Sequence, residues 1–141
     1  MRIWHVYASN RLGPVNGVAQ AISQLSAAQR SIGLEVSVLH GTDDDPARGP
    51  ASGTARGLRR QARELAADTP PYVIHLHELF RPPHLALGPL LRTTPYVVST
   101  HGAASPQNLR RYHLRKAAYG RLVERQLAGR AAALVALTAA E

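Results

Sequence analysis

The chain has 141 residues, 45% of them hydrophobic, with 17 Lys and Arg against 9 Asp and Glu and no cysteine. That length buries one core and is too short for two complete domains; without cysteine, disulfides and thiolate zinc sites are excluded, which agrees with a reducing, cytoplasmic setting. The cation excess points to anionic partners such as nucleic acid, acidic lipid or phosphorylated ligands, although nearly all the cations are Arg, a bias that codon usage alone also produces.

The opening "MRIWHVYASN" has too short an apolar run and no small-residue cleavage pattern, so it reads as a first strand and not as a signal peptide. No stretch reaches the ~18 uncharged apolar residues of a membrane span. After "RIWHVY" comes "ASNRLGPVNGVAQ", a glycine-centred turn leading into a helix. On that helix Val18, Ile22, Leu25 and Ile32 fall at steps of four, three and seven and predict one buried face, with Gly33 as its C-terminal stop. "LEVSVLH" is the second strand, followed by the loop "GTDDDPARGPASGTARG". A helix over Thr54–Ala67 precedes the third strand "YVIHLH". A short helix near Pro83–Leu91, begun by proline, precedes the fourth strand "YVVST". A long helix over about Pro106–Ala128, with Gly120 as the place for a kink, leads to the last strand "AALVAL". This alternation predicts an α/β fold: a Rossmann-like, doubly wound, mainly parallel sheet in the order 2-1-3-4-5.

In such a sheet the crevice lies at the carboxyl ends of strands 1 and 3, so the loops after strands 1, 3 and 4 carry the candidates. "PVNGV" fails the dinucleotide and phosphate-loop fingerprints. It is either a turn that admits the chain to its helix, or Asn16 and Gly17 open a helix N-terminus whose free N–H groups meet a diphosphate. After strand 3, His75 and His77 alternate onto one side. Zinc is disfavoured there, because a third ligand would have to come from His101 on another strand. His75 reads as a strand-end histidine bonded to a neighbour, whereas His77 and Glu78 are placed to face the crevice as substrate-binding residues. At the end of strand 4, His101 and Gly102 read equally as a structural corner or as an imidazole projecting into the crevice beside a closely approachable backbone.

Together, "RIWHVY", "P-x-x-G-V", "GLEVSVL", "VIHLHE", "PYVVSTHG" and "LVALTAAE" resemble, in order along nearly the whole chain, the N-terminal domain of a GT-B glycosyltransferase of the family 4 type. The resemblance implies a retaining transfer of a sugar from a nucleotide-diphosphate donor, with no bound metal and no cofactor beyond that donor. It implies an acceptor held mostly by the N-terminal domain and a donor held mostly by a C-terminal one. It gives Gly17 the approach to the donor phosphates and His101 the contact with the transferred sugar, with Gly102 beside it. In the front-face route proposed for such enzymes, a donor phosphate oxygen takes the acceptor proton, so His101 positions the sugar and is not the base. Asn16 departs from the family's paired glycines but tolerates left-handed backbone. The resemblance also places a donor-binding half beyond "LTAAE", so that 1–141 reads as an incomplete acceptor-side domain, inactive alone.

Seven cations and one acid lie between Leu109 and Arg130. On a helix Arg110, Arg111, Arg115, Arg121 and Arg125 share an arc of roughly 140° opposite Leu109, Tyr112, Tyr119, Val123 and Leu127. This face is either simply solvated or docks on an anionic membrane or acidic acceptor, making the protein peripheral at the inner face of the membrane. The alternative functions are a basic nucleic-acid-binding module or another ligand-binding doubly wound domain. Scattered aromatics and the lack of a binding motif speak against specific nucleic acid. The absence of an acidic cluster after strand 1 and of a hydroxyl-rich phosphate loop speaks against receiver and flavin domains.

Overall fold

The fold comes from a computed structural model that describes residues 1–7, 17–40, 53–110 and 113–139, leaving aside the side chains of Thr54, His113 and Arg115. Its elements are β1 (Arg2–Tyr7), α1 (Gly17–Ser31), β2 (Glu35–His40), α2 (Gly53–Asp68), β3 (Val73–His77), a 3-10 helix (Pro82–Leu87), α3 (Leu90–Thr93) and β4 (Tyr96–Ser99). They continue with α4 (Pro106–Arg110), α5 (His113–Tyr119), a π-helical turn (Gly120–Glu124), α6 (Arg125–Arg130) and β5 (Ala133–Val135). The sheet runs β2-β1-β3-β4-β5 and every pair is parallel, the Rossmann-like order the sequence predicts. Its direction of winding reverses between β1 and β3, which puts the crevice beside Tyr7 and His77.

Strand alternation gives the sheet two unlike faces. Trp4, Val6, Ile74, Leu76, Tyr96 and Val98 form the main core with Leu58 and Ala62 of α2, and Leu127 and Ala131 pack against it. Each large side chain buried there contributes about 1.5–3 kcal/mol of hydrophobic stabilisation. The intervening residues His5, Tyr7, His75, His77 and Ser99 turn to the other face. The register sets His5 against His75, Tyr7 against His77 and His77 against Ser99.

Helix α1 covers that second face with only part of the side predicted, Val18 being half-buried and Ile22 buried as expected. Ile22 and Ser26 are its buried residues, while Leu25 is 38% and Ile32 75% exposed. The face in contact steps from Ile22 to Ser26 to Gln29 because it meets a polar sheet surface, where Gln29 bonds to His5. The single helix expected over 83–91 is two short pieces. Pro89 between them has no N–H with which to continue a helical ladder. The long helix expected over 106–128 is likewise interrupted by the π-helical turn that starts at Gly120. There Glu124 is drawn inward, and its Oε1 accepts from the Phe80 N–H at 2.6 Å. β5 is shorter than predicted and exposed, and among the described residues it pairs with β4 alone. Asn16 with its turn, the acidic loop through residue 52, and Arg111 lie outside the described residues.

Candidate functional site

Four histidines form a row across the second face towards the crevice. His5 on β1 is fully buried, and its Nδ1 lies 2.8 Å from Nε2 of His77, at the end of β3. His77 Nδ1 lies 2.8 Å from Nε2 of His101, two residues beyond β4. At the opposite end, His5 Nε2 lies 2.7 Å from Gln29 Oε1 on α1. His75 stacks on His77 with ring centroids 4.1 Å apart, and its Nε2 bonds to Ser99 Oγ at 2.7 Å. It is thus the neighbour-bonded histidine the sequence suggests.

Burial disfavours the charged imidazolium and holds these rings neutral. It pushes His75 down to about 4, helped by repulsion from His5 and His101. It carries His77 much further below the ordinary range, with the other histidines reinforcing the effect. His5 is lowered as well, chiefly by burial, against a raising hydrogen bond from Gln29.

Ligand nitrogens of His5, His75 and His77 lie within 4.8 Å of one another. The third histidine near the β3 pair therefore comes from β1 and not from His101. Zinc–nitrogen bonds of about 2.0–2.1 Å keep two imidazole nitrogens on a tetrahedral ion about 3.3 Å apart. The facing nitrogens of His5 and His77 are closer than that, at 2.8 Å, and are joined by a hydrogen bond. The row is built as a chain of hydrogen bonds, which a metal would have to break.

The carboxyl ends of β3 and β4 hold left-handed backbone at Glu78 (φ 69°), Phe80 (φ 57°) and His101 (φ 49°). Such residues cost about 1–3 kcal/mol each and persist only where their surroundings fix them. Gly102 continues the turn at φ 80°, a conformation that any side chain would strain. Asn108 Nδ2 clamps the turn by donating to the Gly102 carbonyl at 2.7 Å, and Lys116 Nζ donates to the Asn108 carbonyl. The Glu78 N–H is anchored to the Ser99 carbonyl at 2.8 Å, and the Glu78 carboxylate pairs with Arg81 at 2.7 Å.

Of the residues singled out from sequence, His77, His101 and Gly102 come together. His77, expected to face the crevice itself, is 1% exposed and bonded to His101. Glu78 is adjacent and turned to Arg81. Gly17 opens α1, and a Cβ added there would meet nothing within 4 Å. A cavity of about 180 Å³ beside Leu85, Tyr96 and Leu127 touches none of the histidine row. Arg110, Arg121 and Arg125 are exposed, and the Arg115 side chain is outside the description. Leu109, placed by sequence on the apolar side of the basic helix, is 41% exposed, and Leu114 and Leu122 are 74% and 71% exposed. Leu114 and Leu122 fall on the arginine side of the helix, while Tyr119, Val123 and Leu127 opposite are half-buried.

Sequence reasoning missed His5 and Gln29. The signal for His5 was present: it sits two residues before the end of β1, as His75 does before the end of β3. Gln29 was hidden because a glutamine on a helix carries no signature of its own.

Residues 16–141 match a family described as "Glycosyl transferase 4-like domain". No curated protein matches the chain.

Proposed function

The chain belongs to the glycosyl transferase 4-like domain family, and from that premise we propose that it is the acceptor-side half of a retaining glycosyltransferase that uses a nucleotide-diphosphate sugar. The observation that carries this reading is the left-handed His101–Gly102 turn at the carboxyl end of β4, strained, clamped by Asn108 and tied through His101 to the buried histidine row. In the proposal His101 fixes the transferred sugar by a polar contact, and Gly102 lets its ring come close to the backbone. Glu78, with Arg81, borders the acceptor, and His77 acts through His101.

As the sugar–phosphate bond breaks, the departing diphosphate gains negative charge. In the proposal the N-terminus of α1, opened by Gly17, meets it with the positive end of the helix dipole. Dipoles fixed before the reaction stabilise that charge without reorganising. A phosphate oxygen of the donor accepts the acceptor's proton on the same face, so neither a catalytic carboxylate from this half nor a resident cofactor is required. A second domain supplies the nucleotide contacts. The test is incubation of the protein carrying this domain with a panel of nucleotide-diphosphate sugars, following nucleotide release and the anomeric configuration of product by NMR. Transfer with retention is the expected result; transfer with inversion, or none with any donor, overturns the proposal.

The exposed leucines Leu114 and Leu122 beside Arg121 and Arg125 favour one addition, a peripheral seat on anionic lipid. No helix among the described residues is long and apolar enough to cross a membrane. The protein should co-sediment with phosphatidylserine-containing vesicles at low salt and detach as ionic strength rises. Indifference to lipid charge removes this addition and leaves the arginines as a solvated face.

A further inference from the structure

Gln29, His5, His77 and His101 form one unbroken chain of hydrogen bonds from α1 to the crevice, and its direction follows from the chemistry of its far end. The Gln29 Oε1 atom has no proton and can only accept. His5 Nε2, 2.7 Å away, is therefore the donor. A neutral imidazole carries a single N–H, so His5 Nδ1 is left with a lone pair. That lone pair accepts from His77 Nε2 at 2.8 Å, which in turn leaves His77 Nδ1 as an acceptor. His77 Nδ1 then accepts from His101 Nε2, again at 2.8 Å. Three rings in series thus share one tautomer, dictated by a side chain three hydrogen bonds from His101.

We propose that Gln29 is a positioning residue that fixes His101 as the Nε2–H tautomer, and through that tautomer sets how the ring meets the transferred sugar. The contact with a sugar rests on the transferase reading above; the tautomer does not. Burial supports the scheme, because it keeps His5 and His77 neutral and so gives each ring one donor and one acceptor. Arg30, beside Gln29, is occupied with the Val36 carbonyl at 2.8 Å and adds a repulsion that disfavours a proton on His5. Gln29 itself is only half-buried, so its replacement removes one hydrogen bond to His5 and little packing.

The experiment is a long-range 1H–15N correlation spectrum of histidine-labelled protein at pH 7.5, which reads the protonated nitrogen of each ring without any substrate. His5, His77 and His101 should all carry the proton on Nε2. Gln29→Glu keeps an obligate acceptor and should keep the pattern; Gln29→Met removes it and should convert His101 to a mixture of tautomers. In a transfer assay Gln29→Met should lower kcat about tenfold, the effect of one misdirected hydrogen bond, and Gln29→Glu should restore much of it. A native His101 protonated on Nδ1, or a His101 tautomer indifferent to Gln29→Met, overturns the proposal. Native tautomers as stated in a protein that transfers no sugar would leave the relay standing and remove the transferase reading; reversed tautomers with transfer intact would do the opposite.

Discussion

One face of the sheet and its reverse are built by the same strands, often by adjacent residues, yet they differ in almost every physical respect. Trp4 and Val6 point into a core of aliphatic and aromatic groups in which even the indole N–H of Trp4 has no partner among the described residues. His5, between them, points the other way and bonds through both ring nitrogens. Contact area is what matters on the first face, and any well-packed apolar group of similar shape would serve. Direction matters on the second, because each hydrogen bond determines which nitrogen of the next ring holds its proton. A fully paired buried network of this kind specifies a geometry, and losing one member leaves the rest unsatisfied.

The contrast can be broken most forcefully on the apolar side. Trp4→Ala should cost about 3–5 kcal/mol of unfolding free energy in a denaturant titration, the range for deleting a buried Trp; a loss under about 1 kcal/mol would mean that this face is not the core. A smaller effect should come from acid and report on the histidine side. Because His5, His75 and His77 bind protons less readily in the folded chain than in the unfolded one, their contribution is fully present above pH 6.5 and is lost as pH falls below it. For His75 the window closes at about pH 4. Each such ring can contribute up to about 1.4 kcal/mol per pH unit in its window. His84, fully buried and lowered to about 3, adds to the same trend from the 3-10 helix. Melting temperature measured from pH 8 to pH 4 should therefore fall below pH 6.5, and a flat profile would contradict the neutral, buried row. The smallest effect is expected for Leu25→Ser on the exposed side of α1, within about 0.5 kcal/mol of native. A cost of several kcal/mol would restore the helix face predicted by periodicity.

Much of this architecture was legible in the sequence because parallel strands covered by helices read as short apolar runs between amphipathic ones. "RIWHVY", "YVIHLH" and "YVVST" each became a strand, and the 2-1-3-4-5 order followed from right-handed winding. At α1 periodicity held for Val18 and Ile22 and failed for Leu25 and Ile32, where the sheet beneath is polar and rewards Ser26 and Gln29. After β4 the helix departs from regularity at Gly120, the place marked for a kink, where the inward pull of Glu124 accompanies a π-helical turn. At the site, His77 and His101 were legible from their places at strand ends. Their link through His5 to Gln29 was not, since it depends on the β1–β3 register and on which way α1 is rolled, and neither is written in local pattern.

The central claim, that the histidine face serves function while the apolar face serves stability, is tested most directly by measuring kcat and unfolding free energy together for His101→Ala. A lost positioned polar contact should lower kcat by about one to three orders of magnitude at saturating substrate. Because His101 is half-buried but donates to the buried His77, stability should fall by no more than about 1–3 kcal/mol, the cost of one buried acceptor left unpaired. Near-native turnover, or a fall in activity matched by a several-kcal/mol loss of stability, would contradict the division between the two faces.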